Sequence, residues 1–271
     1  MPFEKIAETG LVLLGCGKMG SAMLKGWLER GLPSKSVSVI DPAPSEWLRS
    51  TGVHLNSPLP DNPAIVLIAV KPQMMREALP VLRPKGNGKT IFLSVAAGTP
   101  IAHYETVLGS NTPVIRAMPN TPAAIGQGIT AIVGNTHSSS AALDMAEALL
   151  SAVGAVVRLE DESQMDAVTG LSGSGPAYLF HMIECMAAAG VTQGLDPALA
   201  MQLAKATVAG AGALAMQSED SPEQLRINVT SPNGTTQAGL EVLMNTETGL
   251  PRLIGKTVAA ATNRSRELAN G

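Results

Sequence analysis

The chain has 271 residues, 45% of them hydrophobic but only 3% aromatic, so it can bury a sizeable core of aliphatic side chains and some of its 13 methionines. A net charge of −3 and the lack of any Lys/Arg cluster argue against a nucleic-acid groove or an anionic membrane surface. Cys16 and Cys185 make neither a disulfide framework nor a metal-ligand pattern, and the acid-containing start Met1-Pro2-Phe3-Glu4-Lys5 is no signal peptide, so a cytoplasmic protein is expected.

The first informative stretch is Leu11-Val12-Leu13-Leu14, an apolar run that leads straight into Gly15-Cys16-Gly17-Lys18-Met19-Gly20 and then into helical spacing from Met19 to Arg30. Strand, tight turn and helix in that order form the dinucleotide fingerprint. Gly15 makes the turn, Gly17 admits a pyrophosphate to the backbone, and Gly20 lets the helix pack on the strand. Val37 to Asp41 reads as the second strand. Asp41 lies 21 residues after Gly20, near where such folds place the acid that holds the ribose hydroxyls. A helix or turn cap before Pro42 is the competing reading for Asp41.

Glu46 to Ser50 can form a short helix, and Ile65 to Val70 is an almost wholly apolar strand, the mark of a strand covered on both faces. It ends at Lys71-Pro72, a charge at the carboxyl end where ligands sit. There follow a helix over Gln73 to Leu82, a strand over Thr90 to Val95, a helix over Pro100 to Leu108 and a strand over Val114 to Met118. Ile129 to Val133, a helix from Ser139 to Val153 and a strand from Val156 to Leu159 complete an α/β pattern, hence a Rossmann-like, doubly wound sheet over residues 1–160.

No strand candidate remains after Glu162. Pro176 to Ala189, Pro197 to Gln217, Thr236 to Met244 and Pro251 to Leu268 read as helices, so residues 161–271 form an all-α domain. The longest uncharged helical stretch, Ala206 to Gln217, is short of the ~20 residues that span a bilayer, and no membrane role is expected. Gly210 and Gly212 in a helix interior each cost roughly 1 kcal/mol against alanine. Close approach of another helix explains them, whether from a second subunit or from the same chain.

Some motifs fall away. Gly86-Asn87-Gly88-Lys89-Thr90 lacks the earlier glycine of a phosphate loop, and Gly170-Leu171-Ser172-Gly173-Ser174 lacks the last glycine of a hydrolase elbow. None of the four histidines has the spacing of a zinc pair, so no metal site is expected. Asn228-Val229-Thr230-Ser231-Pro232-Asn233-Gly234-Thr235-Thr236 runs into a helix, where free N–H groups of Gly234, Thr235 and Thr236 would make a carboxylate site; a merely capped helix start is the alternative.

Together these stretches resemble pyrroline-5-carboxylate reductases over nearly the whole chain. The resemblance rests on Gly15–Gly20, Ala69-Val70-Lys71-Pro72, Val95-Ala96-Ala97-Gly98, Met118-Pro119-Asn120-Thr121-Pro122, Asp166 to Tyr178 and Val229 to Thr236. It implies reduction of 1-pyrroline-5-carboxylate to L-proline with NADPH or NADH, and a helical substrate-binding and dimerisation domain that interlocks with a partner, as a homodimer or a larger homo-oligomer. Carried over, Gly15, Cys16, Gly17, Lys18, Met19 and Gly20 hold the pyrophosphate, and Asn56 lies by the adenosine. Ala69, Val70, Lys71, Pro72, Ala96, Ala97 and Gly98 line the nicotinamide half, and Asn228 touches the cofactor from the helical domain. Glu162, Gly234, Thr235 and Thr236 match the proline-binding positions, with Thr236 as the catalytic candidate.

Two residues depart from the family pattern. Asn233 replaces the first of two glycines and suits a positive φ better than other side chains do. Asp41 stands where relatives that prefer NADPH carry Ser, Thr, Asn or Arg, and a carboxylate repels a 2′-phosphate, so NADH is expected to serve at least as well. A related imine reductase or β-hydroxyacid reductase, and a dinucleotide-sensing binding protein, are the rival readings, and the β-hydroxyacid reductase and the binding protein each meet an obstacle in the sequence. The former needs a helix lysine in the second domain, where Lys205 is the only lysine between Lys89 and Lys256, and the latter leaves the Gly234-Thr235-Thr236 loop without a use.

Overall fold

The computed structural model describes residues 2–270. An opening helix, α1 (Pro2–Thr9), precedes β1 (Leu11–Leu14), α2 (Lys18–Glu29), β2 (Val37–Ile40), α3 (Glu46–Ser50) and β3 (His54–Leu55). The chain continues through β4 (Ile65–Ile68), α4 (Met75–Ala78), β5 (Ile91–Ser94), α5 (Ile101–Leu108), β6 (Val114–Met118), β7 (Gly128–Gly134), α6 (Ser140–Leu150) and β8 (Gly154–Arg158). After it only helices follow: α7 (Met165–Val168), α8 (Gly175–Thr192), α9 (Pro197–Gln217), α10 (Pro222–Asn228), α11 (Thr235–Leu243) and α12 (Leu250–Asn270).

The eight strands form one sheet in the order β3-β2-β1-β4-β5-β6-β7-β8. All neighbours are parallel except β6 and β7. Its central strands β1 and β4 read as unbroken apolar runs because both faces are covered, whereas β8 at the edge is largely exposed. Leu11 and Leu13 join a core with Met23, Leu24, Trp27 and Leu149, whereas Val12 and Leu14 join Phe92, Tyr104 and Leu108 on the other side. The Trp27 indole N–H donates to the Leu149 carbonyl at 2.9 Å, tying α2 to α6.

The helix expected over Gln73 to Leu82 is broken. Tight 3₁₀ turns span Pro72–Met74 and Leu79–Lys85, leaving only α4 as α-helix. Pro80 and Pro84 lack the N–H that an α-helix needs, and each ring clashes with the carbonyl four residues earlier. Elements outside the sequence expectations include α1, whose Ile6 is fully buried, the two-residue β3, α7, α10, and a π-helical turn over Thr169–Gly173.

The chain divides into two compact units, Met1–Gly173 with Ala261–Gly271, and Ser174–Ala260. The expected division at 160/161 marks the last strand. Residues 161–173 nevertheless pack with the sheet, since Met165 is fully buried in the Phe92 core and Ser265 on the returning α12 donates to Asp166 Oδ1 at 2.7 Å. Within the second unit, α8 and α9 pair through a small cluster of Ala187, Ala200 and Ala204. Large apolar side chains of this unit stay exposed, among them Phe180, Leu203, Leu214, Met216 and Val242. At 21 residues α9 is long and apolar enough to cross a membrane by length and composition, longer than the uncharged stretch read from the sequence, although Lys205 lies within it.

Candidate active site

The carboxyl ends of β3, β2, β1, β4 and β5 line up along one edge. The winding reverses between β1 and β4, which is where doubly wound sheets take nucleotides. Here β1 ends at Gly15, whose φ of +87° suits glycine, and where a Cβ would sit 2.8 Å from Val70 Cγ1. A Cβ on Gly20 would come within 2.5 Å of the Gly15 carbonyl oxygen, so glycine alone lets α2 start this close to β1. Gly17 is different. Its φ is −71° and a Cβ there would meet nothing within 4 Å, so the protein's own packing does not require glycine at this position. No side chain caps α2, and the first-turn amides of Lys18, Met19 and Gly20 are left for an anion. Open backbone, free amides and the exposed ammonium groups of Lys18 and Lys71 fit a pyrophosphate.

Asp41 follows β2, and its carboxylate is held rigidly. Oδ2 accepts the Cys16 N–H at 2.7 Å and Oδ1 accepts the Ala43 N–H at 2.8 Å. Asn56, at a φ of +48°, clamps the Asp41 main chain: Oδ1 accepts the Asp41 N–H at 2.9 Å and Nδ2 donates to the Asp41 carbonyl at 2.8 Å. Each Asp41 oxygen keeps a further lone pair for ribose hydroxyls. The Cys16 thiol is pushed up to about 11, first by burial and then by the Asp41 charge, so it stays protonated at neutral pH and is no nucleophile.

Ala69, Val70, Lys71 and Pro72 leave β4, and Ala96, Ala97 and Gly98 leave β5, on the same edge. Glu162 belongs to this first unit as well, where Oε1 accepts Arg116 Nη1 at 2.8 Å and the Ile101 N–H at 2.9 Å. Asn228, Gly234, Thr235 and Thr236 lie in the second unit. The Asn228 amide is engaged there, accepting from Gln224 Nε2 at 2.8 Å and donating to Asp220 Oδ2 at 3.2 Å.

In that unit α11 starts at Thr235 with Gly234 as its N-cap residue and no side-chain cap. Asn233 adopts the positive φ, +58°, that its place in the loop anticipated. One expectation needs correction: the Gly234 N–H is not free, because it donates to the Ser231 carbonyl at 3.0 Å and closes the turn. The amides that project from this helix end are those of Thr235, Thr236 and Gln237. The two threonines are exposed.

Sequence reasoning missed a buried polar group beneath the β5 end. Ser94 and Tyr104, both fully buried, pair at 2.5 Å between hydroxyls, and Arg116 is 5% exposed. Burial pushes the Tyr104 phenol above its ordinary value, opposed by hydrogen bonds from Ser94 and Thr99 and by the Arg116 charge. An arginine inside the apolar strand Val114–Met118 was the visible signal. Among the described residues, no group of acidic, His or Cys side chains could hold a metal ion.

The fold and this edge define a dinucleotide-dependent oxidoreductase, whose second unit carries an uncapped helix terminus at Thr235. Residues 162–268 match the family model for pyrroline-5-carboxylate reductase dimerisation, and residues 10–98 match that for coenzyme F420-dependent NADP oxidoreductase. The chain belongs to the pyrroline-5-carboxylate reductase family. It is 37% identical to the Pseudomonas aeruginosa enzyme, with 96% of each chain covered, and 39% identical to that of Synechocystis, covering 95% of this chain and 97% of that one. The solved Coxiella burnetii pyrroline-5-carboxylate reductase superimposes with a TM-score of 0.90 at 31% identity, covering 96% of this chain and 98% of that one. The Plasmodium falciparum enzyme, solved with NADP bound, gives a TM-score of 0.83 at 27% identity, with 96% and 98% covered.

The glycines separate packing from binding. Gly17→Ala is expected to leave the melting temperature unchanged while weakening NAD(P)H about tenfold or more, ~1.4 kcal/mol. Gly20→Ala should lower the melting temperature itself, because Gly15 must move. Thermal unfolding and nicotinamide fluorescence titration of both variants check this; equal melting losses would contradict it.

Proposed function

We infer that the chain reduces 1-pyrroline-5-carboxylate to L-proline with NADH or NADPH, the last step of proline biosynthesis. The observation that supports this most strongly is the pairing, within one family member, of an open glycine edge with an uncapped helix terminus bearing two exposed threonines. Bound at the edge, reduced nicotinamide supplies the hydride.

The chain's own residues position the reactants. The amides of Thr235, Thr236 and Gln237 take the substrate carboxylate, where the helix dipole adds to the hydrogen bonds. The Thr236 hydroxyl hydrogen-bonds the ring nitrogen. A cyclic imine is basic enough to bind protonated, so carbon gains the hydride, nitrogen keeps its proton, and no acidic side chain is required. Gly15 to Gly20 hold the pyrophosphate, Asp41 the ribose, and Val70 to Pro72 with Ala96 to Gly98 the nicotinamide half.

The helical unit is the surface on which copies of the chain pair. Its own core is three alanines, whereas Phe180, Leu203, Leu214, Met216 and Val242 remain uncovered, and a second copy buries them without lipid. Free Cys16 and Cys185 accord with a cytoplasmic home.

Asp41 should set the cofactor preference. Two like charges 4 Å apart repel by about 1 kcal/mol in water and about 4 at an effective dielectric of 20, and a 2′-phosphate brings more than one charge. NADH is therefore expected to serve at least as well as NADPH. Asp41→Ser should raise kcat/KM with NADPH relative to NADH about tenfold; an unchanged ratio in the variant removes Asp41 from this role. For the substrate loop, Thr236→Ala should lower turnover by roughly one to two decades, as loss of one oriented hydrogen bond does. Wild-type kinetics in that variant would exclude the hydroxyl from the reaction.

A further inference from the structure

Residues 95–100 join β5 to α5 and contain Ala96, Ala97 and Gly98, assigned above to the nicotinamide half of the site. Polar side chains tie both ends of this connection, buried at the β5 end and half-buried at the α5 end. At its start the Ser94 hydroxyl accepts the Ala96 N–H at 3.2 Å while paired with the Tyr104 hydroxyl. At its end Glu162 Oε1 accepts the N–H of Ile101, the first residue of α5. A carboxylate there also meets the positive end of that helix. The same oxygen takes Arg116, which stands opposite Ser94 in the β5–β6 register. Arg116 is almost wholly buried, so Glu162 is both its counter-ion and the anchor of the connection. From the other side, Leu268 leaves only 3.4 Å for a Cβ at Gly98.

We propose that Glu162 is a positioning residue that fixes the Ala96–Gly98 wall of the cofactor site through the α5 amide and Arg116, and that Tyr104 fixes the same wall from the β5 end. Glu162 then acts on the nicotinamide's placement. The proposal rests on the assignment of Ala96–Gly98 to the cofactor. Hydride transfer tolerates little misplacement of the donor carbon, so loosening this wall lowers kcat more than it alters substrate affinity.

The test compares Glu162→Ala, Glu162→Gln and Tyr104→Phe in the full-length enzyme. Three quantities are read: kcat, KM for pyrroline-5-carboxylate, and NADH affinity by fluorescence without substrate. Glu162→Ala and Tyr104→Phe should each lower kcat about tenfold and weaken NADH about threefold, with the substrate KM within about twofold. Glu162→Gln keeps an oxygen for the Ile101 N–H and should recover most of the loss. A rise of about tenfold in substrate KM in Glu162→Ala, with kcat and NADH affinity unchanged, would overturn the proposal in favour of a substrate contact. If Glu162→Ala fails to fold because Arg116 loses its counter-ion, Tyr104→Phe decides the matter, and wild-type values in all three readings refute the proposal. Ala97→Trp separates the underlying assignment: it should abolish NADH binding, and intact NADH binding would remove Ala96–Gly98 from the cofactor site.

Discussion

The nucleotide edge depends on how closely α2 approaches β1. The Gly15 carbonyl leaves 2.5 Å for anything added at residue 20, so helix and strand meet with no side chain between them. That closeness aims the first-turn amides of α2 at the crevice between β1 and β4, and it presents the Cys16 N–H to Asp41. Asp41 in turn is held by Asn56, whose positive φ turns its amide back onto the Asp41 main chain. Packing thus fixes the glycine turn and the Asp41 carboxylate, the groups proposed for the pyrophosphate and the ribose, relative to one another.

The other half of the edge is held electrostatically. Burying Arg116 is tolerable because the half-buried Glu162 carboxylate is 2.8 Å away. A hydrophobic pair would fill the same space, but it could not also grip the α5 amide. The polar pair therefore couples the β6 strand, the start of α5 and the chain after β8 at one carboxylate oxygen.

Much of this was legible in the sequence because its causes are local. Unbroken apolar runs announced β1, β4 and β5, the glycine spacing announced the turn, and the helix read from Pro197 is α9, whose start the Asp196 side chain caps at Ala198 and Leu199. Ser221 caps Gln224 in the same way at the start of α10, yet the helix is only seven residues long and escaped notice. The prolines that break the stretch after β4 were visible but outweighed by the apolar periodicity around them. β3 has two residues and exists only because β2 offers an edge. The roles of Ser94, Tyr104, Arg116 and Glu162 depend on contacts between residues 10 to 61 positions apart, which no local pattern encodes. The closed Gly234 amide likewise came from a turn geometry and not from composition.

The most direct measurement is the loss of absorbance of reduced nicotinamide with pyrroline-5-carboxylate, run in parallel with NADH and NADPH. Turnover to proline with both, and with NADH at least as fast, is the result this account predicts. Binding of either cofactor without any imine turnover would contradict it.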